Sequence, residues 1–232
     1  MRYCGVIMKK PSILCIIPAK ATSKRIPGKN LKDLCGKPML SYIIETAKSV
    51  KGIDRVIVST ESTEVKKVAE QYGAEVPFIR PKELTEDDVI TQQVLDHALR
   101  TLEEKENYVP EYVLLLYATS PLLKRERIEE AIKIATERDS DSVISGSFDK
   151  GNYWIEVAGG WERLYPKRQV NSQYQLPLFV ENGAIYLTKS RFIHRQYVAD
   201  KADILVMEPD ENVDVDYPED FAQVERILKG KL

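Results

Sequence analysis

The chain has 232 residues, room for one large domain or one domain with an excursion, and for a core that needs no staples. Hydrophobic residues at 43% and charged residues at 30% fit a folded chain with a heavily charged outside, and no window approaches the length of a membrane span. A formal net charge of −2 excludes the extended basic face on which general nucleic-acid binding relies.

In chain order, residues 3–8 form an apolar run followed by Lys9 and Lys10. The run is too short for a signal-peptide core and its charge lies on the wrong side, so the cytoplasm is the expected compartment. Residues 13–17 read as a buried strand, broken at Pro18 into a cationic loop. Between Lys20 and Lys37 the only acid is Asp33, against Lys20, Lys24, Arg25, Lys29, Lys32 and Lys37. A helix follows Gly36-Lys37-Pro38, with Met39, Tyr42, Ile43, Ala47 and Val50 on one face. Next come a strand over 56–59, a helix over 64–72 closed by Gly73, and a strand over 74–79. The loop 80–84 and the acidic patch Glu86-Asp87-Asp88 lead to a helix over 91–104 and a strand over 112–116. A helix over 125–138 and a strand over 142–145 complete the alternation.

Strand–helix alternation over roughly the first 150 residues predicts an α/β fold with a doubly wound, mostly parallel sheet. From Phe148 to Glu181 the alternation stops. That stretch holds two tryptophans, three tyrosines and Gly159-Gly160, and segments 155–157 and 162–164 read as a β-hairpin. Aromatics on an excursion from a compact domain predict a dimer arm. The expected organisation is one domain over 1–232 with 148–181 as an inserted arm. The core returns at 184–188 and 204–207 and closes with a helix over 217–228.

The three cysteines, Cys4, Cys15 and Cys35, are odd in number and lack metal-ligand spacing. Cys15 reads as a small buried hydrophobe. The basic loop at a strand's carboxyl end predicts a site for a nucleoside triphosphate, because such loops face the open crevice of an α/β sheet. Ser23 and the loop N–H groups can donate to phosphate oxygens, and Lys20 and Lys29 can neutralise them. The spacing is not that of a Walker A loop. The bland alternative is a solvated lysine-rich loop.

Asp214-Val215-Asp216 can bind one Mg²⁺ through oxygen ligands. Equally, Asp216 can cap the following helix with Glu219 reaching back, as in a capping box. Asn182-Gly183 reads as a turn by default, with Asn182 and Tyr186 as alternatives for contacting a sugar. Arg80 follows a strand and can read a base or a carboxylate, or serve as an ordinary salt-bridge partner. His97 and His194 have no triad or metal partners; His97 reads as structural and His194 as exposed.

Several of these stretches together resemble the acylneuraminate cytidylyltransferases. They are Ile17-Pro18-Ala19-Lys20, Ser23-Lys24-Arg25-Ile26-Pro27-Gly28-Lys29-Asn30, Gly36-Lys37-Pro38-Met39, Val58-Ser59-Thr60 and Gly73-Ala74-Glu75-Val76-Pro77-Phe78 with Arg80-Pro81. Thr119-Ser120-Pro121-Leu122, Asn182-Gly183-Ala184-Ile185-Tyr186 and Asp214-Val215-Asp216 complete the set. The resemblance covers nearly the whole chain from Ile13 onward.

It implies a Rossmann-like nucleotidyltransferase fold with an extended β-hairpin dimerisation arm. It implies Mg²⁺-dependent transfer of CMP from CTP to the anomeric hydroxyl of a nine-carbon 2-keto acid sugar, with release of pyrophosphate. Lys29 and Lys20 would be catalytic. Ala19, Lys20, Ser23, Lys29, Asn30, Arg80 and Thr91 would bind the nucleotide, and Asp214 and Asp216 the metal. Tyr117, Thr119, Gln173, Asn182 and Tyr186 would lie toward the sugar. The partners are then CTP, the sugar and a second copy of the chain in a homodimer, with neither nucleic acid nor membrane.

The chain departs from the family at three places. Lys20-Ala21-Thr22-Ser23 replaces Arg-Gly-Gly-Ser, which loses a planar guanidinium and two glycines able to take positive φ. Tyr117 stands where a glutamine is expected. The Arg-Gln that precedes Leu-Pro in the family is either Ser172-Gln173 or Arg168-Gln169. The alternatives are a cytidylyltransferase for 3-deoxy-octulosonic acid, another sugar nucleotidyltransferase, and a non-catalytic nucleotide-binding paralogue.

Overall fold

The computed structural model describes residues 10–208, 211 and 213–230. Cys4 and the run 3–8 lie outside them. Strand β1 (Ile13–Pro18) is apolar and buried along nearly its whole length, as its sequence predicts. It is followed by a short hairpin of β2 (Asp33–Leu34) and β3 (Lys37–Pro38), then helix α1 (Met39–Ser49), strand β4 (Arg55–Ser59) and helix α2 (Thr63–Gln71). The Ser62 side chain caps α2 by accepting from the N–H groups of Glu64 and Val65. Helix α3 (Thr91–Glu106), strand β5 (Tyr112–Leu115), helix α4 (Arg125–Arg138) and strand β6 (Ser142–Asp149) follow.

The second half supplies β7 (Tyr153–Val157), β8 (Gly160–Tyr165), β9 (Leu178–Lys189), the short α5 (Ser190–Ile193), β10 (Asp203–Val206) and α6 (Pro218–Leu228). Six strands form the central sheet in the order β10-β6-β9-β5-β1-β4. The β1–β4, β1–β5 and β10–β6 ladders are parallel, while β9 runs antiparallel to both β5 and β6.

Successive side chains of a strand point to opposite faces, and β1 uses both. Ile13, Cys15 and Ile17 join a core with α1, α2, α4 and α6. Leu14 and Ile16 join a second core with Leu95, Ala98 and Leu102 of α3. Burying each such aliphatic side chain contributes about 1.5–3 kcal/mol. Helices on both faces make the sheet doubly wound, as expected, and β1 lies second from the β4 edge with its carboxyl end open.

Three sequence expectations change. The strand over 74–79 reduces to one bridge, Ile57 to Glu75, because Pro77 has no N–H to continue a ladder. Asn182-Gly183 is not a turn but lies inside β9. There the pairing with β6 steps from Ile144–Tyr186 to Gly146–Glu181, and Gly183 (φ +72) accommodates the bulge. The cap of α6 is not Asp216: Asp220 Oδ2 accepts from the N–H groups of Asp216 (3.0 Å) and Tyr217 (2.7 Å).

Beyond the central sheet, β6 and β9 stay paired as far as Asp149–Leu178. Hairpin β7–β8 then forms its own two-stranded sheet. Trp161, Tyr174 and Leu176 of this excursion are exposed, Trp161 by 66%. Among the described residues no helix is long and apolar enough to cross a membrane.

Candidate functional site

A cavity of about 330 Å³ opens at the carboxyl ends of β1 and β5. Its walls are the cationic loop from Pro18 to Asn30, the stretch Tyr117–Thr119 after β5, Asp87 and Asp216. Strand ends create this crevice because the backbone must leave the sheet there and turn into loops.

The loop is pinned along its length. Ala19 N–H donates to Ser59 O (3.0 Å) at the end of β4. Ala21 N–H donates to Glu61 Oε1 (2.7 Å), and Asn30 Nδ2 donates to Lys20 O (2.8 Å). Ala21 and Thr22 do not use positive φ; the non-glycine residues that do are Cys35, Asn107 and Asp139. The two glycines expected in the loop are therefore not needed for this path. Gly28 (φ +63) supplies the left-handed step that starts the turn carrying Lys29.

The cations of the loop meet carboxylates. Lys29 Nζ donates to Val215 O (2.6 Å) and to Asp216 Oδ1 (3.2 Å). Arg25 donates to Asp216 Oδ2 (2.6 Å) and lies 4.9 Å from the centre of the Tyr217 ring. Desolvation acts to raise the Asp216 carboxyl, but the Lys29 and Arg25 donors outweigh it and hold the group below its ordinary range. Lys20 pairs with Asp87 at 3.1 Å, and Lys24 pairs with the same carboxylate. Those hydrogen bonds, that from Lys24 foremost, lower the Asp87 carboxyl.

Asp214 lies one residue behind Val215. Desolvation, then the charge of Asp216, raises its carboxyl above the usual range, against a hydrogen bond with Thr119. The segment 214–216, a strap ahead of α6, is fastened to the same stretch by Val215 N–H to Thr119 O (2.8 Å). Among the described residues no group of three or more His, Cys, Asp or Glu is placed to hold a metal. Two hard carboxylates are nevertheless the donor set Mg²⁺ uses when nucleotide phosphates and water complete its shell. Asp214 and Asp216 are two such carboxylates, with Asp216 engaged by Arg25 and Lys29.

Tyr117 closes the inner wall. Its hydroxyl donates to Thr91 Oγ1 (3.0 Å) at the start of α3, and burial pushes it up to about 12. Its ring meets Tyr186 edge-on at 6.4 Å, and Tyr186 meets Tyr197 at 5.2 Å. Tyr186 is buried and donates to Glu181 Oε2 (3.0 Å).

The structure brings part of the sequence-predicted set together around one space. Lys20, Ser23, Lys29, Asn30, Tyr117, Thr119 and Asp216 line one cavity, with Ala19 next to Lys20 in the chain and Asp214 two residues before Asp216. Thr91 and Tyr186 connect to that cavity through Tyr117. Arg80 is 3% exposed, ion-paired to Glu61 at 3.1 Å. Asn182 Oδ1 accepts from Ser145 Oγ (2.7 Å) and Ala184 N–H (3.1 Å), so that oxygen serves the β9 bulge. Gln173 is exposed on the excursion.

Arg25, Asp87 and Glu61 were given no role in the sequence. Asp87 was visible within an acidic patch; Glu61 carried no signal. His97 packs edge-on against Phe78 and His194 is exposed, as expected. A larger cavity of about 840 Å³ lies at the opposite end of the sheet, between Tyr108 and Lys189, away from the cationic loop.

Comparison with known proteins shows the family to which the chain belongs. A family model described as cytidylyltransferase matches residues 14–231. The chain is 31% identical over 227 residues to the CMP-N,N'-diacetyllegionaminic acid synthase of Legionella pneumophila, covering 94% of this chain and 96% of that protein. It is 42% identical over 134 residues to the pseudaminic acid cytidylyltransferase of Campylobacter jejuni, a match covering 58% of this chain and 57% of that protein. The match to the N-acylneuraminate cytidylyltransferase of Streptococcus agalactiae, at 30% identity, covers 91% of this chain and 52% of that protein. Among solved structures, CMP:2-keto-3-deoxy-manno-octonic acid synthetase complexed with CTP superposes with a TM-score of 0.69 at 17% identity, over 95% of this chain and 100% of that one. The 4-diphosphocytidyl-2C-methyl-D-erythritol synthase of Anaerococcus prevotii gives 0.68 at 16%, over 95% of this chain and 97% of that one. At those identities the likeness is one of fold, a Rossmann-like nucleotidyltransferase fold.

Proposed function

This chain belongs to the cytidylyltransferase family, and from that membership we propose that it transfers CMP from CTP to the anomeric hydroxyl of a nonulosonic acid of the sialic, legionaminic or pseudaminic type. The observation that carries the proposal is the contact of Lys29 with Asp216 across the mouth of the cavity. It sets a cationic loop and a carboxylate pair around one space, as a triphosphate with a divalent ion requires.

In this reading Lys20, Ser23, Arg25 and Lys29 bind the triphosphate oxygens, and Asn30 and Arg80 lie toward the cytidine. Asp214 and Asp216 would hold Mg²⁺. Bound there, the ion supplies charge neutralisation on the phosphates. The sugar's anomeric oxygen forms a bond to the α-phosphorus as the bond from that phosphorus to the pyrophosphate oxygen breaks, and the hydroxyl proton passes to water. Lys29 and Lys20 stabilise the charge that accumulates on the departing pyrophosphate. The hydroxyls of Tyr117 and Thr119 are held by Thr91 and Asp214, and the edge-on Tyr117–Tyr186 contact fixes the wall on the acceptor side.

We extend the reading to a homodimer, with the excursion 148–181 as its arm and Gln173 serving a partner's sugar site. The exposed Trp161, Tyr174 and Leu176 support it. Sedimentation of a dimer at micromolar concentration is expected; a monomer contradicts it. We take the cytoplasm, which supplies CTP, as its location. The chemistry is tested by incubating the protein with CTP, Mg²⁺ and each nonulosonic acid. The expected product is a CMP glycoside, seen as a phosphodiester by ³¹P NMR; its absence with every acid contradicts the proposal.

A further inference from the structure

Glu61 lies just past the end of β4, between Thr60 and the cap of α2. Its two carboxylate oxygens serve two different segments. Oε1 accepts from the Ala21 N–H of the cationic loop at 2.7 Å, and Oε2 accepts from Arg80 at 3.1 Å. The side chains of Arg80 and Glu61 are 3% and 14% exposed, so the pair is nearly dry. Burial lowers the Arg80 guanidinium pKa, and the Glu61 charge opposes that shift. Among the described residues Arg80 Nε has no partner.

We propose that Glu61 is a positioning residue for the nucleotide, holding the first turn of the phosphate loop and the Arg80 guanidinium in one fixed relation. The proposal rests on the reading of the cavity as the CTP site. Three observations converge on it. One carboxylate joins the loop that walls the cavity to the Arg80 guanidinium. Arg80 Nε is buried with no acceptor among the described residues, so Glu61 is what fixes the guanidinium. The loop lacks the two glycines expected at Ala21 and Thr22, so its start is held by backbone contacts at Ala19, Lys20 and Ala21, and Glu61 supplies the last of these.

Both partners of Glu61 are hydrogen-bond donors, and this makes the test sharp. Glutamine has the same shape but one acceptor oxygen, so Glu61→Gln sets an amide donor against either Ala21 N–H or Arg80. Glu61→Asp keeps both acceptors and the charge, on a stem one methylene shorter. Glu61 touches neither Lys29 nor the reacting atoms, so its loss acts on binding and not on the chemical step.

CTP binding in the presence of Mg²⁺ is measured by titration calorimetry on wild type, Glu61→Gln and Glu61→Asp, with thermal melts of each and turnover at saturating CTP. The expected result is a CTP Kd about tenfold weaker in Glu61→Gln, partial recovery in Glu61→Asp, and saturated turnover within about threefold of wild type. If Glu61→Gln does not fold, the Asp variant carries the test alone, with an expected weakening of about threefold. Wild type that binds CTP, with variants that melt earlier yet bind CTP equally well, overturns the positioning role and leaves a structural ion pair. Wild type that binds no CTP overturns the reading of the cavity, and this proposal with it.

Discussion

Lys29 and Asp216 are separated by 187 positions in the chain and by 3.2 Å in the fold. The contact joins the loop after the first strand to the strap before the last helix. It also sets the first prediction. Lys29→Ala removes the donor to Asp216 and Val215 O but leaves Arg25 on the same carboxylate, so the fold should persist. Turnover should fall by about 10²-fold, the range for losing one preorganised donor at a charge that develops in the transition state. Steady-state pyrophosphate release, with a thermal melt alongside, checks it; an active Lys29→Ala protein contradicts the assignment.

Asp87 occupies Lys20 and Lys24 where a triphosphate would. All three side chains are more than a third exposed, so the contacts are screened and readily exchanged. Asp87→Asn should lower the KM for CTP by about two- to fivefold at low salt, and the difference should shrink as salt shortens the Debye length to about 3 Å at 1 M. Kinetics at two ionic strengths test this, and an unchanged or higher KM at low salt contradicts it.

Gly146 lets β9 cross β6 closely at the base of the excursion. A Cβ there would overlap Val180 O and come within 2.6 Å of the Phe179 ring. Gly146→Ala should therefore destabilise the protein by about 2–4 kcal/mol, as overpacking at a backbone contact does. A urea midpoint within error of wild type would show that the crossing relaxes instead.

Asp203 ties the edge strand to the end of α4, accepting from Ser140 Oγ (2.5 Å) and Arg138 (2.7 Å). The Ser140 hydrogen bond, then that from Arg138, lowers its carboxyl below the ordinary 3.8. A pKa depressed on folding adds stability above the unfolded value, and that stability is lost as pH falls through the folded value. Asp203→Asn should cost about 1 kcal/mol at pH 7 and close to nothing near pH 2. Denaturant melts at both pH values read the difference; an equal cost at both contradicts the linkage.

The parts of the fold that local sequence determines were legible. The buried run of β1 and the helix over 125–138 follow from apolar patterning, and α4 has the expected bounds. The cationic loop was legible as a charge excess at a strand end. The antiparallel placement of β9 was not, because Asn182-Gly183 carries a local turn signal that only pairing with β6 converts into a bulge. Capping by Asp220 in place of Asp216 was hidden for a related reason. Either acid suits a helix start, and the choice depends on Lys29 and Arg25 arriving from the other end of the chain to engage Asp216. The roles of Glu61 and Asp87 were not legible because they lie in partners 19 to 67 positions away.

The most direct test of the central claim is pyrophosphate release from CTP and Mg²⁺ with a panel of acceptors: sialic, legionaminic and pseudaminic acids beside the eight-carbon 3-deoxy-octulosonic acid. The account predicts release with at least one nine-carbon acid and none above background with the eight-carbon acid. Release only with the eight-carbon acid would contradict the acceptor, and CTP binding without release from any acceptor would contradict the enzyme.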